Sequence, residues 1–236
     1  MVRSAPWADA LGRRIYERLP QSWHDNPTNR ARAFFAGEPC VAFMQIGAYD
    51  GVAGDPLRPL VLANPRWTGV LVEPQADAFA RLERNYLREK AHLTLLNAAI
   101  SDRSGERALH YIPQNERQRL GLPDWSGEIA SFDAQHLRKH LPTASLSQTS
   151  VRTMTFAEAA RQLPDERVDL VAIDVEGHEG VIVPAIDFDR HRVRFLIYEH
   201  KHLAADDQRR IDALFLRHRF TQKRFGRDAI AWRRLD

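Results

Sequence analysis

A chain of 236 residues, 44% hydrophobic and 28% charged, has the size and composition of one soluble globular domain with a substantial core. No apolar run reaches ten residues, which excludes a membrane-spanning helix, and the single cysteine, Cys40, excludes an internal disulfide and a cysteine-based zinc site. Net charge is only +3, but between Arg190 and Arg234 there are 13 Lys or Arg against 5 Asp or Glu. This tract reads as a solvated, arginine-rich helix and hairpin. A nucleic-acid or anionic-substrate face is the alternative, and the lack of interleaved aromatics argues against it.

The N-terminus, Met1-Val-Arg-Ser-Ala-Pro6, lacks the apolar core of a secretory signal, so a reducing, cytoplasmic setting is expected. Trp7, Leu11, Ile15 and Leu19 recur at helical spacing and Pro20 ends the pattern. Residues 1–38 therefore read as a helical extension that covers the site or mediates a homodimer, followed by the main domain at 39–236. Cys40 begins an apolar run and is expected to be packed. A strand over 41–46 leads to a helix near 55–63, opened by Asp55 as acid cap with Pro56 behind it. A strand over 69–73 precedes a helix over 75–89, with Phe79, Leu82 and Tyr86 on one face. A strand over 93–97, a turn at 101–105 and a strand over 107–112 follow.

Residues 113–150 are rich in proline, glycine and serine, and only 131–140 looks helical. A stretch this long inside a domain reads as a lid that builds an acceptor pocket, with Trp125, Phe132 and Arg138 as contacts. Strands over 151–155, 168–173 and 193–198 then alternate with helices over 155–163 and 204–218. A hairpin of 219–225 and 229–233 closes the chain around Gly226-Arg-Asp228. The alternation specifies an α/β fold with a doubly wound, mostly parallel sheet and an antiparallel edge.

In such a sheet, ligands bind outside the carboxyl ends of the strands. Polar residues fall at five of these ends: Gln45 with Asp50, Glu73, Asn97, Asp174 with Glu176, and Glu199 with His200. The first two ends are the most informative. An apolar run from Val41 enters the glycine-bearing turn ending at Gly51, and Glu73 in Leu71-Val-Glu-Pro74 follows 22 residues later. Glycines let the backbone approach a nucleotide, and an acid on the next strand takes a ribose diol. The run from Gly47 through Gly51 to Gly54 lacks the middle glycine of G-x-G-x-x-G, which favours an adenosine ligand without phosphates over NAD.

Five segments, Gln45-Ile-Gly-Ala-Tyr-Asp-Gly51, Val72-Glu-Pro74, Asn97-Ala-Ala-Ile100, Ile129-Ala-Ser131 and Ile173-Asp-Val-Glu-Gly-His-Glu179, together resemble the FkbM family of S-adenosylmethionine-dependent methyltransferases over about residues 41–202. The resemblance implies a Rossmann-like class I methyltransferase fold: a seven-stranded sheet of order 3-2-1-4-5-7-6, strand 7 antiparallel, with helices on both faces. It implies S-adenosylmethionine as cofactor and a hydroxyl of a sugar or natural product as acceptor. Gly47, Ala48 and Gly51 would carry the methionine part, and Glu73 the ribose hydroxyls. Asn97, Ala98 and Ala99 would border the adenine, and Ser131 and Asp174 the methionine end. Tyr49 and Pro74 lie inside the same motifs and join the cofactor set. Gln45 stands where many class I enzymes carry an acid, so Asp50 or Asp55 is expected to meet the cofactor's ammonium.

Methyl transfer from a sulfonium is an in-line displacement that positioning can accelerate, but an alcohol must also lose its proton. The candidate bases are Asp174, Glu176, His178, Glu199 and His200; the two histidines are favoured for their near-neutral intrinsic pKa and stay unranked. A metal-independent reaction is preferred. The metal-assisted alternative places a hard divalent ion on Asp174 with Glu199 or His200. A nucleic-acid methyltransferase is the second functional alternative, weakened by the absence of an Asn-Pro-Pro-Tyr-like motif. A NAD-dependent oxidoreductase and an inactive binding module are the others.

Overall fold

A computed structural model describes residues 25–235, and the helix expected from Trp7 to Leu19 lies outside the described residues. The first described helix, α1 (Pro27–Phe34), starts at Asn26, whose side chain accepts from the Asn29 N–H. The chain continues through β1 (Ala42–Ile46), α2 (Arg58–Ala63), β2 (Thr68–Val72), α3 (Ala76–Asn85) and β3 (Leu93–Leu96). Next come β4 (Ala99–Ile100), β5 (Gly105–Tyr111), α4 (Gln114–Leu120), β6 (Ala130–Ser131), α5 (Ala134–His140) and β7 (Ser147–Met154). The last part holds α6 (Phe156–Ala160), β8 (Leu170–Ile173), α7 (Glu179–Ile182), β9 (Phe195–Glu199), α8 (Ala205–Arg217), β10 (Thr221–Phe225) and β11 (Asp228–Trp232). No helix among the described residues is long and apolar enough to cross a membrane.

The large sheet has the order β3-β2-β1-β8-β9-β11-β10. Counted within this sheet alone, that is 3-2-1-4-5-7-6, and β11 runs antiparallel to both β9 and β10. Its central strands are nearly continuous apolar runs because both faces are covered, with Gln45 of β1 the polar residue in their interior. Met44 and Ile46 share one core with Val70, Val72, Val171, Ile173, Leu196 and Tyr198. Phe43 points the other way, into a second core with Leu71, Leu170, Ala172, Phe195 and Ile197.

Gly69 of β2 shows how tightly these strands pack: a methyl group there would lie 2.1 Å from Cζ of the fully buried Phe43. Gly69→Ala is expected to destabilise the fold by about 1–3 kcal/mol through overpacking. The urea midpoint should fall with an unchanged m value, and Phe43→Leu should recover part of the loss.

Between β3 and β8 the structure departs from the expectation of a turn, a short strand and a largely irregular lid. A second sheet, β4-β7-β5-β6, occupies this part of the chain. β5 and β7 pair antiparallel from Gly105↔Thr153 to Tyr111↔Ser147, so β7 begins at 147 rather than 151. Most of the first half of β7 faces solvent, so its polar Ser147–Ser150 run reads as a loop when only apolar alternation is sought. Within 113–150 lie α4, which ends at the left-handed Gly121, and α5, capped by Asp133. Cys40 is exposed, not packed, because the buried strand begins only at Val41 and Ala42.

At the amino edge of the sheet the buried acid is matched by cations. Asp169 accepts the Ala42 N–H and is held by Arg167 and Arg194; Arg194 also grips Glu38 with two bonds. The carboxyl edge is built on the opposite principle.

Candidate active site

A cavity of about 440 Å³ opens at the carboxyl ends of β1, β2, β8 and β9, a size typical of small-molecule sites. The second sheet contributes Ala99, Ile100, Ala130 and Ser131 to its wall, with Phe132 just after β6, and the closing hairpin contributes Arg227 and Asp228. The described part of the N-terminal extension reaches the rim through Asn26, Pro27 and Thr28.

Glu73, the residue after β2, is buried and lines the cavity. One carboxylate oxygen accepts the Tyr49 N–H and the other the Gln75 N–H, each at 2.8 Å. Tyr49 presents its N–H from a left-handed conformation at φ 48°. Each oxygen keeps acceptor capacity, so the carboxylate is aimed and held before any ligand arrives. Burial pushes its pKa up to about 7 against the pull of those two N–H groups.

The turn between β1 and α2 needs its glycines for packing. A Cβ on Gly47 would lie 1.9 Å from the Asp174 carbonyl oxygen, and one on Gly51 2.5 Å from the Tyr86 ring. Both have positive φ, 79° and 70°. Asp50 accepts the Val52 and Ala53 N–H groups, and Asp55 accepts those of Leu57 and Arg58 and the Tyr86 hydroxyl. Both carboxylates organise this turn and the start of α2. Gln45, by contrast, is buried on the cavity wall and its Oε1 has no hydrogen-bond partner.

The loop after β8 and the end of β9 crowd three carboxylates together. Oxygens of Asp174, Glu176 and Glu199 all lie within 4.8 Å of one another. Enclosure by the cleft, then the charge of Glu176, push Asp174 up to about 6, although its side chain still meets water in the cavity. Burial, then Asp174 and Glu176, push Glu199 up to about 8. Burial also acts to raise Glu176, but the His136 hydrogen bond and the charges of His202, His136 and Arg227 hold it below the ordinary range. Arg227 is the cation of the group, with Nε 3.1 Å from Glu199 and Nη2 3.9 Å from Asp174. Glu179 stays out of the cavity: fully buried, it accepts the Val175 and Gly177 N–H groups and fixes the loop that carries Asp174 and Glu176.

His178 lines the cavity edge-on to Phe132, with Nε2 3.1 Å from Ser101 Oγ. Burial and the nearby Arg107 lower its pKa to about 4, so it is neutral at physiological pH and a weaker base than its intrinsic value promised.

Residues 45–226, more than half of the chain, match the family model described as the methyltransferase FkbM domain. The chain belongs to the FkbM methyltransferase family. The FkbM methyltransferase of Methylobacillus flagellatus KT superposes with a TM-score of 0.51 at 10% identity, over 83% of this chain and 44% of that one. This likeness establishes the shared fold, and the chain spans under half of that protein's length. Precorrin-6y C5,15-methyltransferase of Geobacter metallireducens GS-15 gives 0.46 at 12% identity, over 88% and 87% of the two chains. Aeropyrum pernix fibrillarin, solved with natively bound S-adenosyl-L-methionine, gives 0.41 at 13%, over 81% and 65%. No curated relative matches the sequence.

Within this FkbM domain, the cavity is lined by Gln45, Gly47, Ala48, Tyr49, Asp55, Glu73, Pro74, Ala98, Ala99, Ser131, Asp174, Glu176, His178 and Glu199. The expected acceptor contact Phe132 lines it too, whereas Arg138 is exposed on α5 and does not, and four residues of the expected catalytic and cofactor sets also lie off it. Asp50 and Gly51 turn into the packing just described, and Asn97 lies behind the strand ends, donating to the Glu73 and Pro74 carbonyls. His200 turns toward the closing hairpin, with Nε2 3.0 Å from the Gly226 carbonyl. The metal set Asp174, Glu199 and His200 is therefore not assembled; among the described residues the acid triad and a His136–Glu176–His202 group are. Sequence reasoning also missed Glu128 and Arg227 on the cavity wall.

The buried acids give the domain a pH-dependent stability. Glu73 and Glu179 are raised from 4.5 to about 7 and about 8, and Glu199 shifts the same way. An acid raised in the folded state favours the neutral form, so its stabilisation is full below its unfolded pKa and is lost as pH climbs to the folded value. His178, lowered from 6.5 to about 4, opposes this only below pH 6.5. The ligand-free protein is thus expected to lose on the order of 2 kcal/mol between about pH 6.5 and 8. Thermal melts across that range should show a falling midpoint, with a smaller fall in Glu179→Gln.

Proposed function

We propose that this FkbM domain uses S-adenosylmethionine to methylate a hydroxyl of a small molecule. The observation that carries the reading is Glu73, a buried carboxylate with both oxygens pinned by backbone and aimed into the cavity, suited to a vicinal diol. Gln45 adds a buried, unpartnered carbonyl oxygen fitted to the cofactor's ammonium. The cofactor, when bound, supplies a methyl group on cationic sulfur. Ala98, Ala99 and Ile100 offer an apolar wall for the adenine, and Ser131 lies with Asp174 toward the reacting end.

Asp174 takes the acceptor's proton in this reading. Of the three clustered carboxylates, its side chain is the one most open to the cavity, whereas Glu199 is enclosed and Glu176 is bonded to His136. The basic C-terminal tract offers little support for a nucleic-acid acceptor, because Arg209, Arg210, Lys223, Arg224 and Arg233 all pair with acids.

The test has two parts. Calorimetry should show S-adenosylhomocysteine binding and no NAD binding; no heat with S-adenosylmethionine or S-adenosylhomocysteine on folded protein would overturn the reading. A screen with radiolabelled donor should then place methyl on hydroxylated metabolites and leave RNA and DNA unlabelled. Label on nucleic acid alone would replace the acceptor class.

A further inference from the structure

We propose that His136, His202 and Glu176, completed by Glu199, form a binding site for one divalent transition-metal ion of the zinc class. Four separate elements deliver these groups: α5 of the inserted segment, the loop after β9, the loop after β8, and the end of β9. His136 Nε2 lies 3.3 Å from Glu176 Oε2, His202 Nε2 lies 3.8 Å from the same oxygen, and 3.7 Å separates His202 Nε2 from Glu199 Oε2. Ligands about 2.0–2.2 Å from a tetrahedral zinc stand roughly 3.3–3.5 Å apart, so closure needs only small side-chain movements. The two imidazoles meet at 89° with centroids 4.8 Å apart, which brings their nitrogen edges to the carboxylates from different directions.

A further observation points to a ligand here. Glu199 is only 1% exposed, yet neither of its oxygens makes a hydrogen bond. Arg227 stands beside Oε1, which leaves Oε2, on the His202 side, to face the ion. Glu176 itself holds a left-handed backbone, φ 52°. The following Gly177, at φ 98°, brings the backbone close to both histidines: a Cβ there would lie 3.5 Å from His136 Nδ1 and 3.9 Å from His202 Cβ. Two imidazoles and two carboxylates suit zinc, cobalt or manganese better than magnesium or calcium, which prefer all-oxygen shells. The ligands thus differ from those expected from sequence: the histidine after β9 is His202, two residues beyond His200, and its partner comes from the insertion. Binding here stands independently of the methyl-donor reading.

The experiment titrates tag-free, chelator-stripped protein with Co²⁺, followed by displacement with Zn²⁺. One equivalent of cobalt should give the intense visible bands of four- or five-coordination, and two paramagnetically shifted imidazole N–H resonances should identify two histidine ligands without any substitution. His136→Ala, His202→Ala and Glu176→Gln should each weaken binding by at least the roughly 10–100-fold that loss of even a supporting group costs, while His200→Ala should bind as wild type. Melts of the stripped variants check their folding, and the shifted resonances of the wild type decide the matter if one fails to fold. No stoichiometric cobalt, no shifted imidazole signals, or undiminished affinity in folded His136→Ala and His202→Ala would overturn the proposal.

Discussion

Glu73→Ala is expected to weaken S-adenosylhomocysteine binding by about 10²–10⁴-fold, the combined worth of two hydrogen bonds to an ionised acceptor at roughly 1.5–3 kcal/mol each. Glu73→Gln should do almost as badly. Both carboxylate oxygens already accept backbone N–H groups, from Tyr49 and Gln75, so a side-chain amide turns its NH₂ against a donor whichever way it is placed. A simple acceptor of the ribose diol would instead tolerate glutamine well. Titration calorimetry of both variants distinguishes these cases, and an unchanged affinity in Glu73→Ala would remove the ribose from this position. Thermal melts separate lost binding from lost folding, since alanine also strands two buried N–H donors.

Much of the large sheet was legible because its signal is physical and local. Strands covered on both faces must be almost wholly apolar, as in Leu170–Ile173 and Leu196–Tyr198, and strand ends at one edge must carry the chemistry. That logic brought Glu73, Asp174 and Glu199 to one edge, and all three line the cavity there. It failed in two ways. The first failure lay in the second sheet, where Ser147–Ser150 form a strand whose pairing with β5 decides its conformation and whose exposed side removes the apolar alternation. The second lay in reading direction from proximity along the chain. His200 directly follows β9, yet it bonds the Gly226 carbonyl, and His202 is the residue that returns to Glu199 and Glu176.

Arg227 was recoverable in principle. A closing hairpin whose second strand runs antiparallel to β9 must make its turn at the carboxyl edge, and the register pairs Asp228 with Glu199. Treating the whole basic tract as solvated concealed Arg227, which the topology carries to the acids. His136 was not recoverable, because it arrives on α5 from a segment whose fold depends on the second sheet.

The contrast between the two edges of the sheet gives the second large expectation. At the amino edge Asp169 is tied by two arginines and a backbone N–H, a geometry that only holds strands together. At the carboxyl edge Asp174, Glu176 and Glu199 share, among the described residues, a single arginine, an arrangement that costs stability and suits proton transfer and cation binding. Asp174→Asn is therefore expected to lower kcat by about 10²–10⁴-fold, the usual worth of a positioned general base, while S-adenosylhomocysteine affinity changes by no more than a few-fold. The defect should depend on the acceptor: severe for an aliphatic alcohol, milder for a phenol, whose hydroxyl at a pKa near 10 gives up its proton with less help. A merely structural Asp174 would slow both acceptors alike, and a base elsewhere, such as His178, would leave the aliphatic reaction of Asp174→Asn near wild type. Pre-steady-state transfer rates on a matched alcohol and phenol, measured beside His178→Gln, decide between these outcomes.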